Sequence, residues 1–276
     1  MIIFRKNGLW IVSVFCLLLI PPAITPLYLI HKKPSATKDW REINFGDSYR
    51  AWEIKSGDLN PKIAMAFRIN LKASTSTLIH RPFTNFTYAK EKQFSLKFPD
   101  QYIRQNPSYL ILLNSVRYRI DNFSDNFPGS SVTPVETVLV DGIISHRHEH
   151  SYLIWWTEKG EVHIETTKPP PDPLPEGAWM GVGVQGIQVQ NGNPAYHSIS
   201  TLNEAYSRTF IGVDPEEDIV WLFAFEKITG RDMIDEVVSM GVPWGGQLDS
   251  GNATQMILGK GLPGLRPYIG IRNIRP

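Results

Sequence analysis

The stretch that decides the fold runs from Ile219 to Thr254. Within it Ile219–Phe225 reads IVWLFAF, Thr229–Asp232 reads TGRD and Leu248–Thr254 reads LDSGNAT. A continuous apolar run of that kind is what a strand buried on both faces requires. Thr229 with an acid three residues later, Asp232, is a helix-capping pattern. Met233, Ile234, Val237, Val238 and Met240 then recur at helical spacing, and Gly241 can close the helix. Gly245–Leu248 is the next short strand. Strand, helix and strand in that order predict a crossover unit. Asp249 falls just after the second strand, at the carboxyl end, where α/β sheets bind ligands. Small residues flank the acid, so a ligand can come close to the backbone there. The same Ser/Gly/Asn setting is also that of an ordinary turn.

Upstream, strand-like runs are frequent: Ile63–Leu71, Tyr109–Leu113, Glu136–Val140, Tyr152–Trp156, Val162–Thr166, Gly183–Val189 and Thr209–Val213. Gly142 and Gly160 punctuate the middle runs as hairpin turns would. Lys168–Pro175 (KPPPDPLP) holds five prolines and reads as an extended polyproline connection on the surface. His146, His148 and His150 alternate between two strand-like runs. Alternation points rings to one face, as a metal site would need, but Arg147 is unhelpful to a cation and a solvated hairpin turn is the simpler reading.

The first 33 residues differ from the rest. From Gly8 to Ile30 no residue is charged, and the run is about as long as a bilayer core needs. Arg5 and Lys6 precede it, His31, Lys32 and Lys33 follow it, and Pro21 and Pro22 would kink a helix there. A signal anchor left in the bilayer is the favoured reading; a cleaved signal peptide and a buried helix are the alternatives. Bases on both flanks set orientation weakly, and a cytoplasmic N-terminus with an extracytoplasmic body is expected. The expected organisation is an anchor over 1–33, a polar stalk over 34–60 and one domain over 61–276.

Composition narrows the function. The chain has 276 residues, 28 Lys+Arg and 27 Asp+Glu, and is 42% hydrophobic and 11% aromatic, which is too apolar for disorder. Four of the bases lie before residue 34 with no acid among them, so the body is slightly acidic and nucleic acid is not an expected partner. Cys16 is the sole cysteine, which excludes an intrachain disulfide and a Cys-based zinc cage. With 21 Gly and 21 Pro the body should be rich in sheet and turns. The fold class expected is α+β: one domain of mixed β-sheets with few helices and the C-terminal strand–helix–strand crossover, preceded by an N-terminal transmembrane helix.

Ser207–Asp214 (SRTFIGVD), the apolar strand, the helix ending Ser239-Met240-Gly241 and Leu248–Thr254 together resemble the phosphodiester glycosidase family. That family holds the enzyme that uncovers mannose 6-phosphate by removing N-acetylglucosamine, and many bacterial exopolysaccharide-associated relatives. Phe67–Leu71, Leu112–Ser115, Val140–Gly142, Gly183–Gly192 and Arg266-Pro267 resemble further family segments in the same order, over roughly residues 60–275. The chain also departs from the family. Leu-Asp-Gly-Gly-Gly-Ser has become Leu248–Ala253 (LDSGNA), the Asn-Gly-Gly or Asn-Ala-Asn segment has become Asn114-Ser115-Val116, and the Asp-Gly after the hydrophobic strand has become Glu226-Lys227.

The resemblance implies hydrolysis of the sugar–oxygen bond of a sugar-1-phosphodiester; no cofactor is expected and no residue is assigned as a metal ligand. Asp249 would be the carboxylate near the anomeric carbon. Arg208 would hold the phosphate, since guanidinium suits bidentate contact; a structural pairing with Asp214 or Asp218 is its alternative. Asn114 would bond sugar hydroxyls or orient Asp249, or be a satisfied turn amide. Ser250, Gly251, Asn252 and Arg266 would contact substrate. The partners implied are a glycan or sugar-phosphate substrate and, through the N-terminal helix, a membrane. The lost glycines and serine leave a second expectation, a degenerate member that binds an envelope glycan without hydrolysing it.

Overall fold

Both faces of the strand Ile219–Ile228 are buried. Val220, Leu222 and Ala224 enter one core, and Ile219, Trp221, Phe223 and Phe225 enter another. This is the physical meaning of the unbroken apolar run, because a strand between two layers has no solvent side. The computed structural model describes residues 40–44, 49–54, 64–72, 94–95, 111–113, 117–119, 131–251 and 256–258.

The strands begin with β1 Trp40–Asn44, β2 Tyr49–Ile54, β3 Ala64–Asn70, β4 Phe94–Ser95, β5 Ile111–Leu113 and β6 Tyr118–Arg119. They continue as β7 Ser131–Pro134, β8 Val138–Val140, β9 Ile143–His146, β10 Tyr152–Trp156, β11 Val162–Glu165 and β12 Met180–Val184. The last six are β13 Val189–Gln190, β14 Asn193–Pro194, β15 Tyr206–Asp214, β16 Ile219–Ile228, β17 Trp244–Ser250 and β18 Met256–Leu258. One α-helix stands among the described residues, α1 Gly230–Ser239.

An eight-stranded sheet has the order β1-β2-β3-β16-β15-β17-β13-β14, and a five-stranded sheet the order β11-β10-β12-β8-β9. Their facing sides share one core. Met65, Phe67, Ile211, Val213 and Leu222 come from the larger sheet, and Val138, Ile154, Trp156, Val182 and Val184 from the smaller. Two sheets packed in this way form a sandwich. The other side of the larger sheet is covered by α1, through Met233, Ile234 and Val237. Each such burial is worth about 1.5–3 kcal/mol. The architecture is thus mostly β with few helices, as the sequence predicts.

The helix ends follow the capping reading. Thr229 Oγ1 accepts the Asp232 N–H at 3.0 Å and donates to Asp232 Oδ2 at 2.7 Å. Gly241, at φ +81°, donates its N–H to the Val238 carbonyl at 2.9 Å. The crossover is present but split. β16 and β17 each run antiparallel to β15, which lies between them, so they are parallel to each other and α1 spans a strand. Asp141-Gly142 and Gly160 take positive φ at the β8–β9 and β10–β11 hairpins, as expected.

Three expectations need correction. Residues 34–60 are not simply a stalk, because β1 and β2 lie within them and extend the large sheet from β3. Short strands of mixed polarity at a sheet edge carry little periodic signal and read as linker. His146–His150 is not a hairpin turn, since β9 pairs with β8 and β10 pairs with β11 and β12. It carries the chain from the sheet's edge strand to β10, and Arg147 binds Asp172 at 2.7 Å. Gly183–Val189 is not one strand: its start closes β12 in the small sheet, and Val189 opens β13 in the large one. The anchor expected over residues 1–33 lies outside the described residues. Among the described residues no helix is long and apolar enough to cross a membrane.

Candidate active site

At Arg208 the strand β15 loses register with both of its neighbours. Phe210 stands opposite Gln247 and Arg208 opposite Ser250, so Leu248 and Asp249 together face Thr209. On the other side Tyr206 stands opposite Ile228 and Arg208 opposite Phe225, so Glu226 and Lys227 together face Ser207. Both are β-bulges, which re-aim side chains at a sheet's end. Lys227 has φ +51°. It occupies a left-handed position that glycine adopts freely, and the family pattern carries the glycine of Asp-Gly there.

The bulge on β17 holds Asp249. Its N–H donates to Thr209 Oγ1 at 3.1 Å, and its Oδ1 accepts the Ser250 N–H at 2.7 Å. The residue is 5% exposed. Ser250 closes the strand and Gly251 follows at φ +80°. Asp249 and Ser250 are therefore the last two residues of β17 rather than residues beyond the strand, and Gly251 follows them. Asn114, Asn252 and Arg266 lie outside the described residues. Leu113, the residue before Asn114, is in register with Met256, the first residue of β18.

Arg208 stands opposite Ser250, the residue after Asp249, and is fully buried. Nε donates to the Ile228 carbonyl at 3.2 Å. Nη1 donates to Gln247 Oε1 at 2.6 Å and to Thr201 Oγ1 at 3.2 Å. Nη2 reaches the carbonyls of Thr201 at 2.9 Å and Glu204 at 2.8 Å. A guanidinium has five N–H donors, and each here meets a protein oxygen. Burial pulls its pKa below the ordinary value, against Tyr206 and Glu204. Arg208 is thus an internal cross-link in this arrangement rather than an open phosphate clamp. The pairing with Asp214 or Asp218 is absent too. Asp214 caps the Glu216 N–H, and Asp218 binds Lys72 at 2.7 Å.

Two of the groups that Arg208 holds, Thr201 and Gln247, form part of the wall of a pocket of about 70 Å³ at the end of β17. Leu248 and Ser250 line it as well, on either side of Asp249 in the chain, with Gln188 and Arg117. Gln188 Oε1 accepts the Gln247 N–H at 2.6 Å. Arg117 is the one charged residue among the described lining residues. Glu136 is 2% exposed and takes the Arg117 N–H at 3.0 Å and Nε at 2.6 Å, and also binds Nη2. Burial pushes the Glu136 carboxyl up, and Arg117 opposes that shift. Sequence reasoning passed over Arg117, Glu136, Gln188 and Gln247. An acid heading the apolar run Glu136–Val140 was the available signal for Glu136, since a buried carboxylate demands a partner.

The described residues form a sandwich of antiparallel sheets in which Asp249 sits on a bulged strand end, next in the chain to two residues that line a polar pocket. The chain belongs to the phosphodiester glycosidase family, whose profile matches residues 114–274. No curated protein sequence matches it. Among solved structures, a hypothetical protein from Synechocystis is similar over 80% of this chain, with a TM-score of 0.58 at 11% identity. This chain covers 59% of that protein's length. The zebrafish N-acetylglucosamine-1-phosphodiester α-N-acetylglucosaminidase catalytic domain, auto-inhibited by its pro-peptide, is similar over 80% of this chain and 72% of its own, with a TM-score of 0.53 at 12% identity. At these identities the likeness is one of fold.

Proposed function

We propose that this protein is a hydrolase that cleaves the sugar–phosphate glycosidic bond of a sugar-1-phosphodiester. The observation that carries the reading is Asp249, set by a bulge and by Thr209 at the carboxyl end of β17, between two residues that line a polar pocket. In the reaction the oxygen of water bonds to the anomeric carbon and the bond from that carbon to the phosphate oxygen breaks. The phosphate oxygen keeps the electron pair and takes the proton that water releases. Sugar and phosphomonoester are the products. The transition state resembles an oxocarbenium ion, and a carboxylate beside it stabilises the developing positive charge. A phosphate leaving group is stable as an anion, so strong general-acid help is dispensable. Gly251, without a side chain, lets the substrate approach the backbone closely, and Ser250 offers a hydrogen-bonding wall. Arg208 acts from behind the pocket wall, by fixing Gln247 and Thr201.

The substrate class fits a cell-envelope glycan or a related conjugate. Residues 1–33 anchor the chain in a membrane by one pass, with the body on the extracytoplasmic side. Two experiments test the reading. The full chain in detergent is incubated with a panel of sugar-1-phosphodiesters and free reducing sugar is measured; release from none of them removes the enzymatic reading. A reporter fused after Pro276 is active outside the cytoplasm only, and cytoplasmic activity reverses the orientation.

A second reading, a glycan-binding protein without turnover, is favoured by one observation. The family's open glycines at Ser250 and Asn252 carry side chains here. It predicts measurable glycan affinity with no sugar release.

A further inference from the structure

We propose that Arg117, held by Glu136, is the residue that meets the anionic phosphodiester of the substrate in the pocket lined by Leu248 and Ser250, the chain neighbours of Asp249. The inference rests on the phosphodiester reading above and adds a residue to it. An anionic substrate needs a cation, and Arg208 offers none outward, because all its N–H groups end on protein oxygens. Arg117 is placed differently. Its side chain is 34% exposed, whereas the partner carboxylate is 2% exposed. The Nε and Nη2 edge of the guanidinium docks on Glu136 Oε1, and the Arg117 backbone N–H binds Oε2. That leaves Nη1, which has no partner among the described residues.

The chemistry of the wall agrees. Gln188, Gln247, Thr201 and Ser250 are neutral hydrogen-bonding groups suited to sugar oxygens, and Arg117 is the single charge among them. No carboxylate among the described lining residues repels a phosphate. Glu136 serves as a positioning residue. A guanidinium fixed along one edge loses little rotamer freedom when the other edge binds an anion, so affinity is not spent on ordering it.

Binding and hydrolysis are measured separately on the full chain in detergent. The probe is the methyl phosphodiester of α-glucose 1-phosphate, and methyl α-glucoside is its neutral counterpart. Wild type binds the diester more tightly than the glucoside. R117K keeps one ammonium to pair with Glu136 and loses the second edge. It should weaken diester binding tenfold or more and leave glucoside binding unchanged. R117Q/E136Q removes both charges of the pair together and should abolish the preference while the far-ultraviolet circular dichroism stays as in wild type. Diester affinity unchanged in R117K overturns the proposal even if the double variant fails to fold. Sugar release by wild type together with undiminished diester binding by R117K sinks this assignment and leaves the hydrolase reading standing. Arg117-dependent diester binding without any sugar release supports the assignment and sinks the hydrolase reading.

Discussion

Arg208 Nη1 donates to Gln247 Oε1 at 2.6 Å, across the ladder that joins β15 to β17. The bond ties a fully buried guanidinium to a residue of the pocket wall. Gln247 is tied in turn to Gln188 through its N–H. A cation behind the wall therefore sets the shape of the wall.

Replacing that guanidinium tests its role. Arg208→Lys keeps a charge but cannot reach Ile228, Thr201, Glu204 and Gln247 together. Each buried acceptor left without a donor costs about 1–3 kcal/mol, so the variant should lose about 3 kcal/mol or more in urea unfolding. A transition midpoint equal to wild type would show that the fork is not structural.

Lys227 carries a cost that its own side chain creates. At φ +51° an L-residue is strained by roughly 1–2 kcal/mol, and part of that is returned by the backbone entropy of glycine. Lys227→Gly should therefore raise stability by up to about 1 kcal/mol, read as a higher thermal midpoint. A lower midpoint would mean that Lys227 makes a contact worth more than the strain.

Asp249→Asn preserves the shape of the bulge, since an amide oxygen can accept the Ser250 N–H as the carboxylate does. It removes the negative charge. Losing one such electrostatic contact costs on the order of 10²–10³ in turnover, with folding little changed. Sugar release by the variant at the wild-type rate would show that a different carboxylate acts.

Glu136 gives a pH dependence whose sign follows from its burial. Its carboxyl is held above the ordinary glutamate value of 4.5, burial outweighing the attraction of Arg117. The folded state then binds this proton more readily than the unfolded state. The contribution is fully present below the ordinary value and is lost as pH rises through the raised one. Glu136→Gln does not titrate. The stability of wild type relative to this variant should fall as pH rises from about 4 towards neutrality, measured by urea unfolding at each pH. A relative stability that climbs over the same range would place the pairing with Arg117 above the cost of burial.

Much of this protein is legible in its sequence, for local reasons. The run Ile219–Phe225 announces a strand with two buried faces, because no polar residue interrupts it. Thr229, Asp232 and Gly241 mark the ends of α1, because caps depend on neighbours within a turn. Tyr152–Trp156 matches β10 residue for residue. Asp249 in its small-residue setting points to the carboxyl end of a strand, and the family resemblance rests on such local pieces in order.

What the sequence left open was decided by partners far apart in the chain. That β15 lies between β16 and β17, that β1 and β2 join the large sheet, and that Gly183–Val189 divides between two sheets are matters of pairing. Strand periodicity names the faces of a strand but not its neighbours. The fate of Arg208 is of the same kind. Its sequence setting favours a phosphate clamp over an ion pair, and only burial against Thr201, Glu204, Ile228 and Gln247 spends its donors internally. Arg117 and Glu136 stand 19 residues apart. Neither belongs to a motif, and the pair exists because a buried carboxylate must find a cation wherever the fold supplies one.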